Sequence, residues 1–318
     1  MVEKKMLLKI IDLSVYFKGD KNTYVLKDMN MDIYINDKIV VIGETGSGKS
    51  IMLLSILGLL PKNAEVNGTI LFHNIDILKI TRKEYNKIRG KQISYVPQGG
   101  GNSMNPLIKV GNQVGETLVV HKIADKKSAF EKAITILKRF NIGNEKKRAL
   151  NYPHTFSGGM RQRALIGMGM AADPELILAD EPTKGLDKTR INMVIESFKT
   201  LMNKTFICVT HDINFAKKIG EKVCVMLSAY QVEFGTVEDV LENPLHPYTS
   251  DIIRAMPENG LEYNSKLLDR LKHNEKECPY RNSCSDSFYK CNKIPPMFDL
   301  ENGRKVRCWK YAEIGKNK

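Results

Sequence analysis

Gly43-Glu44-Thr45-Gly46-Ser47-Gly48-Lys49-Ser50 decides how this chain is read. The string fits G-x-x-x-x-G-K-[ST]. In that pattern the glycines let backbone N–H groups close around an anion, the lysine reaches the outer phosphates, and the final hydroxyl ligates Mg2+. The flanks have the required order. The apolar run from Lys38 to Ile42 reads as a buried strand, and Ile51 to Leu60 reads as a helix stopped by Pro61. A glycine-rich loop between a buried strand and a helix points to nucleotide binding.

Further strings lie outward from this loop. Ser157-Gly158-Gly159-Met160-Arg161-Gln162 precedes a helix read from Met160 to Ala171. Gln98 follows a strand read from Gln92 to Pro97, and Leu176-Ile177-Leu178-Ala179-Asp180-Glu181 is an apolar strand ending in two acids. Gly185-Leu186-Asp187 comes next, and His211 follows a strand read from Thr205 to Thr210. Singly, each has an ordinary reading: a solvated Asp-Glu turn, a Thr-His-Asp helix cap, a Gly-Gly loop. In register, they resemble the motif set of ATP-binding-cassette (ABC) ATPases: phosphate loop, Q-loop, signature, Walker B with its glutamate, D-loop and switch histidine.

The resemblance implies a P-loop NTPase fold: a RecA-like α/β core with an antiparallel β subdomain and a helical subdomain. It also implies a mechanism. Two cassettes face each other, and ATP lies between the phosphate loop of one and the signature of the other. Ser157 with the N–H groups of Gly158 and Gly159 then forms a second anion site at a helix start, with Asp187 nearby in the same interface. Ser50, Gln98 and Asp180 are the expected Mg2+ ligands. Glu181 polarises the attacking water, Lys49 offsets phosphoryl charge, and His211 orients water and γ-phosphate. The adenine stacks on Phe17 by position, with Tyr16 as the alternative; either could equally be a buried core aromatic.

Composition agrees with one large core and an appended region in 318 residues that are 42% hydrophobic. Strands followed by helices indicate a parallel, doubly wound sheet. The start, Met1-Val2-Glu3-Lys4-Lys5-Met6, leads into strand-like sequence without the pattern of a signal peptide. The longest apolar run, Ile51 to Leu60, is about half of what spans a bilayer, so a membrane role is expected through a partner. The net charge of +13 comes from dispersed lysines without an aromatic-interleaved stripe. That pattern fits lysine-rich bias or attraction to an anionic membrane surface, and no nucleic-acid partner is expected.

Residues 1–232 are assigned to the ATPase domain, with the helical subdomain at about 99–165, and residues 233–318 to a C-terminal extension. Asn67-Gly68 reads as a tight turn before a strand at Thr69-Ile70-Leu71-Phe72. Ser128-Ala129-Phe130-Glu131 reads as a capping box, Ile134 and Leu137 as the apolar face that follows, and Gly143 as the end of that helix.

Three strings select a branch. Asn151-Tyr152-Pro153-His154 running into Phe156-Ser157, Ser103-Met104-Asn105-Pro106 after the Q-loop, and His246-Pro247-Tyr248-Thr249 are all similar to peptide-importer ATPases. The chain is therefore read as the ATP-binding subunit of an oligopeptide or dipeptide importer, with a nickel or metal-chelate importer of the same family as the alternative. The resemblance implies a second cassette subunit, favoured as a paralogue, two transmembrane permease subunits and an extracytoplasmic solute-binding protein. It also implies a peripheral position on the cytoplasmic face of the cell membrane. One departure concerns the partner-facing segment, where Gln98-Gly99-Gly100 replaces the usual Gln-Asp-Pro. Two rivals share the core. Soluble ABC ATPases of nucleic acid or ribosomes usually carry two cassettes or a long coiled coil, and exporters usually lack both the His-Pro-Tyr-Thr element and a cysteine-rich tail.

Of six cysteines, Cys208 and Cys224 fall in apolar strands and read as buried and inert. Cys278, Cys284, Cys291 and Cys308 cluster near the end with C-x5-C-x6-C-x16-C spacing, which lacks the C-x2-C pairs usual for structural zinc. The peptide-importer resemblance implies a four-iron, four-sulfur cluster on these four thiolates, acting as a structural staple; zinc and unliganded thiols remain the alternatives.

Overall fold

The structure, a computed structural model, describes residues 4–19, 23–99, 103–256 and 276–314 and the backbone of 316–317. Gly100 and the stretch 257–275 lie outside these residues.

Strand β1 (Met6–Phe17) pairs antiparallel with β2 (Thr23–Tyr34), and β3 (Lys38–Gly43) leads through the phosphate loop into helix α1 (Lys49–Leu57). The helix stops at Leu57, short of Leu60, because Gly58 turns left-handed at φ 58° and donates its N–H to the carbonyls of Leu54 and Ser55. Next come β4 (Ala64–Phe72), β5 (Ile75–Asp76), α2 (Arg82–Ile88) and β6 (Ile93–Val96).

Four helices follow: α3 (Val110–Val120), α4 (Lys126–Arg139), α5 (Glu145–Ala149) and α6 (Gly158–Gly169). The chain then returns to the sheet. Strand β7 (Leu176–Asp180) precedes α7 (Lys188–Lys199), and β8 (Thr205–Val209) precedes α8 (Ile213–Ile219). Strands β9 (Lys222–Leu227) and β10 (Tyr230–Thr236) form a hairpin that runs into α9 (Val237–Glu242) and α10 (Pro247–Arg254). The short strands β11 (Phe298–Asp299), β12 (Lys305–Val306) and β13 (Lys316–Asn317) end the chain.

The core sheet runs β10-β9-β3-β8-β7-β6, parallel throughout except for β10. Strands buried on both faces need apolar side chains at every position, which is why β7 and β8 are buried from end to end. Alternate residues of β3 separate two layers. Val40 and Ile42 face the cluster containing Leu165, Phe198 and Phe215, whereas Ile39 and Val41 face the one containing Leu53, Ile56 and Met29. The second layer packs under the antiparallel sheet β5-β4-β1-β2, which meets β10 at Tyr230 and Lys27.

Three further local expectations fail. Asn67-Gly68 is not a turn: β4 runs straight through it, opposite a shift of register in β1 at which Asp12 takes a positive φ. Gly68, at φ 103°, is needed there because a Cβ would sit 2.6 Å from the Asp12 carbonyl oxygen. Helix α4 begins earlier than Ser128, capped by Asp125, whose carboxylate accepts from Ser128 N–H at 2.8 Å. It ends at Arg139 rather than Gly143, because left-handed Asn141 reverses the chain and Ile142 N–H bonds the Leu137 carbonyl. Along α4, Ala129, Ala133 and Leu137 are buried and Ile134 is half-buried.

The C-terminal residues are sewn into the core rather than hung from it. Strand β12 pairs antiparallel with β10 at Glu233 and Val306. The Glu233 carboxylate, fully buried, accepts from the N–H groups of Leu245 at 2.8 Å and His246 at 3.0 Å and meets Arg304 Nη2 at 3.3 Å. Burial pushes its pKa up, with these partners opposing.

Gly68→Ala is expected to destabilise the protein by about 1–2 kcal/mol, measured by urea or thermal unfolding, while leaving nucleotide affinity unchanged. Unaltered stability would mean that the close approach of Gly68 to Asp12 does not require a glycine.

Candidate functional site

The carboxyl ends of β3, β7 and β8 lie side by side in the parallel sheet, so the residues that follow them share one edge. The phosphate loop follows β3. Lys49 opens α1 and is buried; its Nζ donates to the carbonyls of Gly43 at 2.8 Å and Glu44 at 2.7 Å. Burial lowers its pKa, while Glu181 and Asp180 act the other way.

Asp180 ends β7. Tyr95 of β6 donates its hydroxyl to Oδ2 at 3.2 Å, and the Ser50 hydroxyl also bonds this carboxyl group. Oδ1 is buried without a hydrogen-bond partner. Burial pushes the Asp180 pKa up and overrides these contacts. An orphaned carboxylate oxygen beside a serine hydroxyl and a lysine is a fit place for a divalent cation, whose charge would stabilise the ionised form.

Glu181 adopts φ 45°, a left-handed conformation that strains a non-glycine residue, while its N–H is fixed to the Val209 carbonyl at 2.9 Å. The turn points its carboxylate at His211, which follows β8, and Nδ1 of His211 lies 2.6 Å from Oε2. The pair joins a carboxylate to an imidazole whose Nε2 stays available for hydrogen bonding.

A cavity of about 320 Å3 opens over the loop, lined by Thr45, Gly46, Gly48, Lys49, Ser50 and Ile51 from the loop and its helix. Gln98, Glu181, Lys184, Val25 and Phe17 complete it; Asp180 and His211 do not line it, and His211 instead faces a cavity of about 450 Å3 with Gly43, Glu44 and Tyr248. Phe17 thus reaches the first cavity; Tyr16 instead stacks obliquely on Tyr24 with ring centroids 5.3 Å apart, and both are only half-buried. A larger cavity of about 540 Å3, between β1, β2 and β12, contains none of the candidate residues.

Ser157, Gly158, Gly159 and Asp187 do not line the 320 Å3 cavity. Ser157 caps α6, its Oγ accepting from Met160 N–H at 3.3 Å, so Gly158 and Gly159 form the first turn of the helix two residues before its expected start. Asp187 caps α7 and pairs with Arg190, whose side chain lies against Gly159. The signature and D-loop of one chain are therefore neighbours, apart from that chain's own phosphate loop. Sequence reading missed Tyr95 and Lys184, which belong to no motif, and it missed Tyr248, which was quoted only as part of His-Pro-Tyr-Thr. The Tyr248 hydroxyl accepts from Glu44 N–H at 3.1 Å.

The four late cysteines converge. Cys278, Cys284, Cys291 and Cys308 line one cavity together with His246 and Tyr280. Burial pushes the thiol of Cys278 up to about 12 and that of Cys284 up to about 11, and it raises Cys308 as well; the neighbouring thiols add to the effect. Among the described residues, no group of three or more His, Cys, Asp or Glu is arranged to hold a metal ion, so neither the iron–sulfur expectation nor its zinc alternative has ligand geometry behind it. Cys208 and Cys224 are fully buried in β8 and β9, as their apolar settings led one to expect.

Comparison with known proteins finds relatives along nearly the whole chain. Residues 26–184 match the family described as "ABC transporter", and residues 232–291 match "Oligopeptide/dipeptide transporter, C-terminal region". The chain is 34% identical to the oligopeptide transport ATP-binding protein OppD of Escherichia coli (strain K12), over 96% of this chain and 94% of that one. It is 33% identical to the dipeptide transport ATP-binding protein DppD of Bacillus subtilis (strain 168), over 95% and 94%. Among solved structures, a dimeric post-hydrolysis state of the ATP-binding cassette MJ0796 bound to ADP and Pi superposes with TM-score 0.65 at 28% identity, over 73% of this chain and 99% of that one. CbiO1 from Clostridium perfringens, part of the ABC transporter complex cbiONQ, superposes with TM-score 0.64 at 25% identity, over 76% and 92%.

Lys49→Ala is expected to weaken Mg-ATP binding about 10- to 100-fold, the equivalent of one charge-assisted hydrogen bond of about 1.5–3 kcal/mol. Equilibrium titration of the purified chain measures this, and unchanged affinity would remove the loop from phosphate binding.

Proposed function

The chain belongs to the ABC transporter family of ATP-binding proteins, and on that footing we propose that it is the ATP-hydrolysing subunit of a membrane importer of oligopeptides or dipeptides. The observation that carries the reading is the joining of Lys49, Ser50, Asp180, Glu181 and His211 at one sheet edge, with an unpartnered Asp180 oxygen among them. Peptide rather than nickel cargo is favoured by the match of residues 232–291 and by relatives whose names specify peptides.

In this reading the loop amides and Lys49 hold the phosphates, and Ser50, Asp180 and Gln98 hold Mg2+, which when bound offsets phosphate charge. Glu181 takes the proton of the attacking water, and its strained backbone holds the carboxylate toward that position. His211, tethered through Nδ1, turns Nε2 toward water and γ-phosphate. The adenine stacks on Phe17. Ser157, Gly158, Gly159 and Asp187 serve the nucleotide of a second cassette, in accord with their separation from this chain's own cavity. That subunit is proposed as a paralogue.

Two permease subunits complete the membrane portion, fed by an extracytoplasmic binding protein. Among the described residues no helix is long and apolar enough to cross a membrane, so attachment at the cytoplasmic face is assigned to the permeases. The groove between α3 and α4, with Leu107 largely exposed beside it, offers an apolar seat for them.

The four cysteines are proposed to hold a four-iron, four-sulfur cluster that staples residues 278–308 together. Convergence of the four cysteines on one cavity supports this.

Glu181→Gln is expected to keep Mg-ATP affinity within about twofold while lowering turnover of the assembled transporter by about 10²-fold or more, the scale of a general-base contribution. Near-normal hydrolysis would exclude Glu181 as the base. Protein purified without oxygen is expected to carry about four irons and four acid-labile sulfides per chain, both lost in Cys284→Ser with Cys291→Ser. One tightly bound zinc instead would transfer the ligands to that metal.

A further inference from the structure

Glu44 is the second residue of the phosphate loop, and its backbone is held from both sides. Lys49 binds its carbonyl from within the motif at 2.7 Å. Its N–H is bound by Tyr248, 204 residues further along the chain, at 3.1 Å. The loop therefore takes one of its anchors from the C-terminal extension.

That anchor is rigidly mounted. Tyr248 is fully buried in the first turn of α10, and its own N–H donates to His246 Nδ1 at 3.1 Å. Burial takes the His246 pKa down to about 3, so the ring is neutral and Nδ1 can accept. The His246 N–H in turn is held by the buried Glu233 of β10 at 3.0 Å. The ring of Tyr248 can tilt only if its neighbours tilt.

Its principal aromatic neighbour is Tyr280, also fully buried, with ring centroids 5.6 Å apart in an edge-to-face arrangement. The Tyr280 hydroxyl donates to the Asp251 carboxylate on α10, less than a turn beyond Tyr248. Tyr280 belongs to the cysteine segment. Its carbonyl accepts from Ser283 N–H at 3.1 Å and Cys284 N–H at 2.9 Å, and Cys278 N–H donates to the Cys291 carbonyl at 3.1 Å. Tyr280 itself lines the four-cysteine cavity. Two rings thus span the distance from that cavity to the phosphate loop.

We infer that Tyr248 is a positioning residue for the phosphate loop: its hydroxyl, seated by Tyr280, fixes the backbone of Glu44 and with it the loop that holds the phosphates. The inference rests on the proposed ATP-binding role. Removing the hydroxyl takes this acceptor from the Glu44 N–H and lets the loop relax.

Titration of the full purified chain tests this, with the Kd of an Mg-bound, non-hydrolysable ATP analogue as readout and thermal unfolding in parallel. Tyr248→Phe keeps the ring and removes only the hydroxyl; it is expected to raise Kd about three- to tenfold without lowering Tm by more than a few degrees. Unchanged Kd in Tyr248→Phe, or a rise in Kd matched by a large loss of Tm, overturns the anchor. A parent chain that fails to bind the nucleotide defeats the ATP reading itself.

Discussion

The parallel pairing of β3 with β8 on one side and β9 on the other is the constraint on which the rest depends. Parallel neighbours must be reached by crossovers, so each strand ends on the same edge and hands its next residue to that edge. The phosphate loop after β3, Glu181 after β7 and His211 after β8 are near one another for this reason alone. None of the three lies within 25 residues of another in the sequence.

The same edge concentrates polar groups that the core cannot satisfy. Asp180 is buried with one oxygen lacking a partner, Lys49 is buried against two backbone carbonyls, and Glu181 holds a left-handed conformation. Each is unfavourable in an isolated fold by about a kilocalorie per mole or more. Their coincidence in one place is the mark of a site built for a charged ligand and a cation. Elsewhere among the described residues, strain of this kind is tied to turns and kinks, as at Asp12 opposite Gly68.

The extension matters to the site because it is covalently distant but structurally adjacent. Glu233 in β10 fixes the start of α10 through two backbone N–H groups, and β12 covers the free edge of β10. This arrangement brings Tyr248 within hydrogen-bonding distance of the phosphate loop and carries the cysteine cavity up against α10. A boundary drawn at residue 232 divides the sequence conveniently, yet it cuts through β10 itself.

The sequence alone marked the phosphate loop, because G-x-x-x-x-G-K-S is a local pattern complete within eight residues. It determined the order of strands and helices in the core, since buried parallel strands announce themselves as short apolar runs ending in Asp180, Thr210 or Gly43. It was less reliable where a local signal was overruled by pairing: Asn67-Gly68 has the composition of a turn but is drawn into β4 by β1, and Ser128 yields its capping position to Asp125. Only the tertiary structure decided that Tyr95 reaches Asp180, that Tyr248 holds Glu44, that Ser157 stands away from its own chain's cavity, and that four cysteines spaced over 31 residues line one space. These are contacts between residues tens to hundreds of positions apart. Their geometry is set by how sheets and helices stack, and no periodicity or motif in the chain encodes it.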